Sequence, residues 1–101
     1  MASLVLGSRL EKRVREAVSN VIDPETGLSL GDMRLIDKVK EVEPGVVHIE
    51  FHLTSPACPL ALTIAWQVKK RAEAVEGVKQ VRITLKDHMF SDQINKYLNQ
   101  S

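Results

Sequence analysis

The run from Val46 to Leu53, in which apolar and polar residues alternate from Val47 onwards, is the feature of this chain that most constrains its fold. The apolar residues of the run are Val47, Ile49, Phe51 and Leu53. Because successive side chains of a β-strand point to opposite faces, this pattern predicts a strand with one buried and one polar face. Such a strand belongs to a sheet that is covered on one side only.

A helix and another alternating strand follow. Pro59 suits the first position of a helix, and Gly77 suits the left-handed residue beyond its end. The apolar stripe predicted for this helix is Leu60, Ile64, Val68, Ala72 and Val75. The inward residues predicted for the next strand are Val81, Ile83 and Leu85. A helical crossover between two strands of one sheet makes those strands parallel.

The first helix is predicted over Arg9–Val21. Ser8 followed three residues later by Glu11 is a capping box, which is typical of a helix start. Pro24 ends the helix, because proline restricts the residue before it and supplies no backbone N–H.

Residues 23–34 are interpreted as an ordered loop held against the core by apolar side chains. Those side chains are Leu28, Leu30 and Met33. A strand is predicted over 35–42, and the turn at 43–45 joins it to the alternating strand as an antiparallel hairpin. Ser91 is expected to cap a short last helix that carries Ile94, Tyr97 and Leu98.

Together these elements predict an α+β domain with the order α-β-β-α-β-α. A three-stranded mixed sheet with its helices on one face buries the apolar stripes. The chain has 101 residues, enough for one core without disulfides or a structural metal. We therefore expect a single domain over residues 1–101, with any disorder confined to residues 1–7.

Composition narrows the classes of function. The formal net charge of +1 gives no attraction to nucleic acid or to an acidic membrane, and no apolar stretch is long enough to span a bilayer. Cys58, the only cysteine, cannot form an internal disulfide, which indicates a reducing compartment and predicts a cytoplasmic protein. Lys69–Arg71 is interpreted as a solvated helix face, and Trp66 as exposed or partly covered.

Cys58 lies between the alternating strand and the next helix, in the run Thr-Ser-Pro-Ala-Cys-Pro at 54–59. Two prolines restrict this turn, and the unpaired N–H groups of a helix start favour an anion. A thiolate there is stabilised, which improves metal binding and nucleophilicity. The residues alone leave a second interpretation equally open, in which Cys58 is a small buried hydrophobic side chain.

Three motifs stand in a fixed order along the chain. Asp23-Pro24-Glu25 follows an amphipathic helix, Thr-Ser-Pro-x-Cys-Pro follows a strand, and Glu76-Gly77-Val78 precedes another strand. In these motifs the chain resembles the small PaaD-like and SufT-like domain of iron–sulfur cluster assembly proteins. The resemblance covers roughly residues 10–85, with the same order of elements.

The resemblance implies that Cys58 binds or hands on iron or a cluster. The residues that match the family's supporting motifs are Asp23, Pro24, Glu25, Thr54, Ser55, Pro56 and Pro59. The acidic turn is expected to shape the pocket, and Thr54 to buttress the cysteine turn.

Two segments bear on how far the resemblance extends. Phe90 before Ser91-Asp92 stands where the family usually has tryptophan in a similar segment. After the acidic loop the family often has Leu-Gly-Leu-Val-Tyr, whereas residues 33–37 here are Met-Arg-Leu-Ile-Asp. Arg34 replaces a small residue, so this loop is expected to differ in shape or partner, while the cysteine site stays intact.

One thiolate cannot hold a cluster, because a [2Fe–2S] centre usually takes four protein ligands. A cluster would need Cys58 from two chains plus other ligands, whereas transient capture needs only one. The main hypothesis is an accessory or carrier protein, without catalysis of its own, that binds iron or a cluster transiently and shares it between chains. Expected partners are a cluster scaffold or carrier ATPase, apo-client proteins and a second copy of the chain. The alternative is a non-catalytic interaction module that assembles a larger enzyme complex.

The histidines suggest two further interpretations. His48, Glu50 and His52 share a strand face, but the outer two are about 13 Å apart, so a solvated face is preferred over a metal site. There Glu50 is expected to pair with Arg82 across the sheet. A cysteine hydrolase would need a base such as His52 or His88 directed towards the thiol, and nothing in the sequence directs either.

Overall fold

The computed structural model describes residues 2–54 and 59–99, with side chains from Arg9 onwards. The elements in order are α1 (Ala2–Ser19), β1 (Ile36–Glu43), β2 (Val46–His52), α2 (Ala61–Glu73), β3 (Gln80–Lys86) and α3 (Ser91–Leu98). This order confirms the predicted α+β architecture. No helix of these described ranges is long and apolar enough to cross a membrane.

The strands form one mixed sheet in the order β1-β2-β3. β1 and β2 pair antiparallel through the turn at Gly45, which has a φ of 79° that favours glycine. β2 and β3 pair in parallel, and their register runs unbroken from Val46 opposite Gln80 to His52 opposite Lys86. The hairpin and the crossover are therefore as predicted.

The core lies on the face of β2 that the alternation marks as apolar. Val47, Ile49 and Phe51 are fully buried there, beside the inward residues of β3. α1 and α2 pack on this face, with Val14 and Ile64 among their fully buried residues. α3 lies along the outer edge of β3 and contributes Ile94 and Leu98 to the same core.

α1 differs at both ends from the prediction. It begins at Ala2, so Ser8 lies within the helix and the predicted capping box is not its start. No residue before Arg9 prevents a helix, since even Gly7 costs only about 1 kcal/mol there. The helix ends at Ser19, because Ile22 already forms a β-bridge with Ser29.

α3 also begins differently. Its N-cap residue is Phe90, and Ser91 is the first residue of the helix. The hydroxyl of Ser91 accepts a hydrogen bond from the His88 N–H at 3.1 Å, so it serves the preceding turn and not the helix start. The predicted serine cap is therefore wrong.

The loop between α1 and β1 is ordered, as predicted. The Leu30 N–H donates to the Val21 carbonyl at 2.9 Å, and Leu30 is fully buried. Gly31 passes so close to Ser19 that a Cβ would stand 2.7 Å from the serine Cβ, which explains the glycine. Met33 packs against the core as predicted, whereas Leu28 is 51% exposed and does not hold the loop to the core as predicted.

Both outer edges of the sheet are hydrogen-bonded by helix side chains. On β3, the Asn95 amide accepts from the Leu85 N–H at 2.8 Å and donates to its carbonyl at 3.1 Å. Asn99 does the same with Ile83 at 2.9 and 2.8 Å. On β1, a Glu11 carboxylate oxygen accepts from the Glu41 N–H at 2.8 Å. The Arg15 guanidinium donates to the Ile36 carbonyl at 3.3 Å.

Candidate functional site

Three connections meet at one end of the sheet. β2 and β3 end there at His52 and Lys86, which are register partners. β1 starts at the same end, with Ile36 opposite Phe51. The connections are the loop that enters β1, the segment that leaves β2 for α2 and the segment that leaves β3 for α3. The region outside the carboxyl ends of parallel strands is a common place for ligands in α/β sheets.

The acidic loop is organised by Asp23, which is only 2% exposed. Its carboxylate accepts from the Glu25 N–H at 2.8 Å, and its carbonyl accepts from the Gly27 N–H at 2.8 Å. The Asp23 N–H donates to the Leu28 carbonyl at 2.9 Å. Asp23 therefore shapes the turn from inside, while Pro24 and Glu25 lie on its exposed side.

Backbone hydrogen bonds tie this loop to the end of β2. The His52 N–H donates to the Leu35 carbonyl at 3.0 Å, and the Leu35 N–H donates to the Leu30 carbonyl at 2.9 Å. Leu30 is itself bonded to Val21, next to the acidic turn. The acidic loop and the start of the cysteine connection thus belong to one rigid arrangement.

Arg34 has a left-handed backbone, with a φ of 57°. This conformation favours glycine, which carries no Cβ. The Arg34 N–H still donates to the Gly31 carbonyl at 3.1 Å. The replacement of a small residue at this position therefore leaves the turn formed, at a cost in backbone strain.

The structure describes only the two sides of the cysteine connection. Leu53 is buried, and Thr54 is an exposed bend residue. Pro59 lies in a turn, and α2 begins at Ala61, two residues later than predicted, with Leu60 as its N-cap residue. Among the described residues, no side chain caps α2 and none in its first turn is acidic.

Ser55, Pro56 and Cys58 lie outside the described residues. Their predicted roles, including iron or cluster binding by Cys58, therefore stay predictions. Of the described residues near them, the acidic loop and Thr54 lie at the same end of the sheet.

The third connection carries His88, two residues beyond the end of β3. Its Nδ1 accepts from the Phe90 N–H at 3.0 Å, and its ring lies 6.0 Å from the Phe90 ring, centroid to centroid. The sequence suggested His88 only as a hydrolase base. No sequence pattern reveals the hydrogen bond that orients its ring, because that bond comes from the fold of the turn.

The polar face of the sheet forms ion pairs. His52 Nδ1 lies 2.8 Å from Asp37, which also faces Lys86 at 3.5 Å. Glu50 faces Lys86 at 3.8 Å and Lys38 at 3.9 Å, so the predicted pair with Arg82 is wrong. Arg82 is instead the register partner of His48, two residues before the Glu50–Thr84 pair along the strands.

This face does not gather metal ligands. His48 Nε2 bonds the Thr84 hydroxyl at 2.8 Å, and His52 is held by Asp37. Within residues 2–54 and 59–99, no group of three His, Cys, Asp or Glu side chains could hold a metal ion. The histidine–glutamate alternative therefore has no support from the geometry.

Lys69 corrects the interpretation of the basic run on α2. It is only 5% exposed, and its ammonium group donates to the Leu98 carbonyl at the end of α3. A cation at a helix C-terminus meets the negative end of the helix dipole. Lys69 lies on the side of α2 that faces α3, while Lys70 and Arg71 are exposed as predicted.

A shallow apolar groove of about 230 Å³ lies between α2 and α3. Its lining includes Leu62, Trp66 and Tyr97, each at least 43% exposed. The Lys70 ammonium group stands 5.1 Å from the Trp66 ring centroid, a cation–π distance. Trp66 is thus exposed, as expected.

These features define a small α+β domain that gathers an acidic loop and a cysteine-bearing connection at the carboxyl ends of two parallel strands. The chain belongs to the iron–sulfur cluster assembly protein family, which matches residues 11–85. All three motifs of the resemblance fall inside this match. The family membership expected from the motifs is therefore confirmed.

Individual relatives agree with this membership. The Fe–S protein maturation auxiliary factor YitW of Bacillus subtilis is 33% identical over 90 residues, which cover 87% of this chain and 88% of that protein. An iron–sulfur cluster carrier protein of Mycobacterium tuberculosis is 31% identical over 84 residues, which cover 83% of this chain and 22% of that protein. Both are named as auxiliary or carrier factors and not as enzymes.

A solved structure shows the same fold. The crystal structure of a domain of unknown function from Bacillus anthracis superposes with a TM-score of 0.77. The match covers 97% of this chain and 99% of that chain, at 22% sequence identity.

Proposed function

We propose that this chain is an accessory factor of iron–sulfur cluster assembly or iron–sulfur protein maturation that binds iron or a cluster transiently through Cys58. The observation that carries the proposal is the hydrogen-bonded path from the acidic loop to the end of β2, from which the cysteine connection departs. The family match spans both parts of this path. The names of the relatives support the same process.

The surroundings of the connection suit a thiolate ligand. α2 starts directly after the connection, and its first N–H groups carry partial positive charge. Partial positive charge near a thiol favours the thiolate, which is the form of cysteine that binds metal. Because one thiolate is too few for a cluster, a loaded cluster would be shared between two copies of the chain or held with ligands from elsewhere.

We infer that the partners are a cluster scaffold or carrier ATPase and apo-client proteins. The mycobacterial carrier protein supports this, because the matching region is only 22% of its length. A domain that is joined to a carrier in one protein can work beside a separate carrier in another. The absence of an internal disulfide partner for Cys58 supports a cytoplasmic location.

The direct test is anaerobic reconstitution of the protein with iron and sulfide. We expect a visible chromophore and iron uptake that are lost in Cys58→Ser, together with a shift towards dimer on loading that is also lost. His48→Gln is the matched control, since it removes a possible iron ligand on the polar face without touching the site. Uptake that survives in Cys58→Ser, or that is lost in His48→Gln, contradicts the proposal.

The apolar groove favours a second function, that of a non-catalytic interaction module. Leu62, Trp66 and Tyr97 present more exposed apolar surface than an isolated domain needs. If this were the whole function, Cys58→Ser would still complement a defect in cluster maturation and would still bind its partner protein. Trp66→Ala would fail to complement the defect and would lose the partner protein. The carrier proposal predicts failure of Cys58→Ser in the same complementation assay.

A further inference from the structure

Three basic side chains lie side by side across the polar face of the sheet. Lys40 is the register partner of His48, and His48 is the register partner of Arg82. Register partners on neighbouring strands point to the same face, and their strands lie about 5 Å apart. Lys40 and Arg82 are exposed, and His48 is half-buried. We refer to these three residues as the basic row.

The two outer cations of the basic row differ from the other cations of this face in having no carboxylate partner. Glu50 lies 3.9 Å from Lys38 and 3.8 Å from Lys86, so one carboxylate already serves the cations next to the row. In the described part of the chain, neither Lys40 nor Arg82 forms an ion pair or a side-chain hydrogen bond. Their charge is therefore uncompensated, and the field over this part of the face attracts an anion.

A cavity of about 360 Å³ adjoins the row, and part of its wall is held by hydrogen bonds. Its lining residues are Val42, Glu43, His48, Arg82, Thr84 and Asn99. His48 Nε2 bonds the Thr84 hydroxyl at 2.8 Å, and its Nδ1 lies 3.9 Å from Glu50. The Asn99 amide bonds the N–H and carbonyl of Ile83. The cavity therefore presents the Arg82 guanidinium beside an ordered polar wall.

The carboxylates around the row decide what kind of anion fits. Glu43 lines the cavity on one side of the row, and Glu50 lies on the other side. A nucleic acid carries a phosphate at every residue and would meet both carboxylates. A protein segment can place its own carboxylates over the row alone and an apolar side chain against Val42, which is 46% exposed. An acidic protein segment is therefore the favoured ligand.

The spacing of the row suits an extended segment. The backbones of Lys40 and Arg82 lie about 10 Å apart, because two inter-strand spacings separate their strands. Alternate residues of an extended segment face the same way and lie about 7 Å apart. Two carboxylates at alternate positions thus lie within reach of both long side chains. A guanidinium can also bind a carboxylate through two parallel hydrogen bonds.

We propose that the basic row and the adjoining cavity dock an acidic segment of a partner protein, with carboxylates at alternate positions and an apolar residue beside them. The carboxylates pair with Arg82 and Lys40, and the apolar residue packs in the cavity. His48 lies four residues before His52, so the row is about 13 Å from the strand end that carries the candidate site. This docking surface goes beyond the proposed function, because it makes no use of Cys58.

A labelled peptide tests the docking surface directly. The probe is a fluorescein-labelled peptide in which glutamates alternate with glycines and a leucine stands two residues after the last glutamate. In fluorescence anisotropy, we expect this peptide to bind the wild type at low ionic strength and to be released by added salt. A control peptide with glutamine for every glutamate should not bind. In a ¹H–¹⁵N spectrum, the amide signals that shift on binding should be those of the basic row and its neighbours on the three strands.

Matched charge variants locate the binding. Arg82→Gln and Lys40→Gln should each weaken binding of the glutamate peptide about tenfold, because each removes a charge-assisted hydrogen bond. Lys38→Gln removes the same charge from the next row, where Glu50 already pairs with it, and should stay within about twofold of wild type. All three lysine and arginine side chains are exposed, so the variants should unfold at the temperature of the wild type. Cys58→Ser should bind the peptide as the wild type does.

Four results would each overturn the proposal. These are no binding at millimolar peptide, equal binding of the glutamine peptide, signal shifts confined to residues away from the row, and equal weakening by Lys38→Gln and Arg82→Gln. Tighter binding of an oligothymidylate that is lost in Arg82→Gln would make this face a nucleic-acid site instead. Iron uptake by the wild type without peptide binding would reject the docking surface and leave the proposed function intact. Peptide binding without iron uptake would do the reverse.

Discussion

The two edge strands, β1 and β3, are closed in different ways. At β3, Asn95 and Asn99 each donate to and accept from the same strand residue, so each amide stands in for a residue of a neighbouring strand. At β1, Glu11 only accepts and Arg15 only donates, each through a long charged side chain. Both arrangements prevent pairing of the edges with another chain.

The difference shows which side of the sheet is held more firmly. The amide pairs fasten α3, a helix of 8 residues that would not persist alone, to the last half of β3. They thereby hold the strand end from which the His88 connection departs. The β1 edge has only one hydrogen bond for each helix side chain, and flexible side chains lose conformational entropy in making it. We therefore expect the β3 edge to contribute more to stability.

Removal of an amide pair should give the largest effect. Asn95→Ala leaves the N–H and carbonyl of Leu85 without their partners at a partly buried position. Because unsatisfied polar groups are costly, we expect a loss of about 2–3 kcal/mol in the free energy of unfolding. Urea denaturation followed by circular dichroism measures it.

Gln93→Ala, an exposed change on the same helix, is the control and should stay within about 0.5 kcal/mol of wild type. If Asn95→Ala lowers the free energy of unfolding no more than this control does, water hydrogen-bonds the Leu85 N–H and carbonyl as well as the amide did. The β3 edge would then have no advantage over β1.

The equivalent change at β1 should be smaller. Glu11→Ala removes one accepted hydrogen bond from the Glu41 N–H and should cost about 1 kcal/mol. Glu11→Gln keeps an acceptor oxygen and should lose less, and Glu16→Ala on the exposed side of α1 is the control. A Glu11→Ala loss that equals or exceeds that of Asn95→Ala would reverse the proposed order of the two edges.

The sequence predicted those elements whose burial follows a simple period. β2 was evident because one face is buried at every second residue, and the β-α-β order then required parallel pairing. β1 alternates poorly because its register shifts after Ile36 and after Glu41, yet the turn at Gly45 still located it within one residue. Local sequence patterns were enough to predict an element when its buried residues recur at a regular spacing.

Contacts made between elements could not be predicted in this way. Lys69 is buried because its ammonium group donates to the Leu98 carbonyl at the C-terminus of α3. Its charge alone had suggested an exposed position. The ring of His88 is oriented by a turn that no motif marks. The four-residue spacing of Asn95 and Asn99 did carry a signal, since two amides one turn apart at the end of a helix can bond the backbone of an edge strand beside it. The ordered acidic loop was predictable from the sequence, whereas the site roles predicted for Asp23, Glu25 and Cys58 stay predictions.

Each edge strand also meets a left-handed residue at the site end of the sheet, and these residues complete the comparison. Arg34 precedes β1 with a φ of 57°, and Asp87 follows β3 with a φ of 59°. Left-handed geometry costs a residue with a Cβ about 1–2 kcal/mol, but aspartate tolerates it better than arginine. We therefore expect Arg34→Gly to stabilise the fold by about 0.5–1 kcal/mol, and Asp87→Gly by less.

Thermal and urea unfolding of the two glycine variants measure this difference. Both side chains are exposed, so the comparison isolates backbone strain from packing. Arg34→Ala serves as the control, because alanine removes the arginine side chain but keeps the Cβ that opposes the left-handed backbone. Stabilisation by Arg34→Ala equal to that by Arg34→Gly would assign the effect to the lost side chain. The left-handed backbone at Arg34 would then cost no more free energy than the one at Asp87.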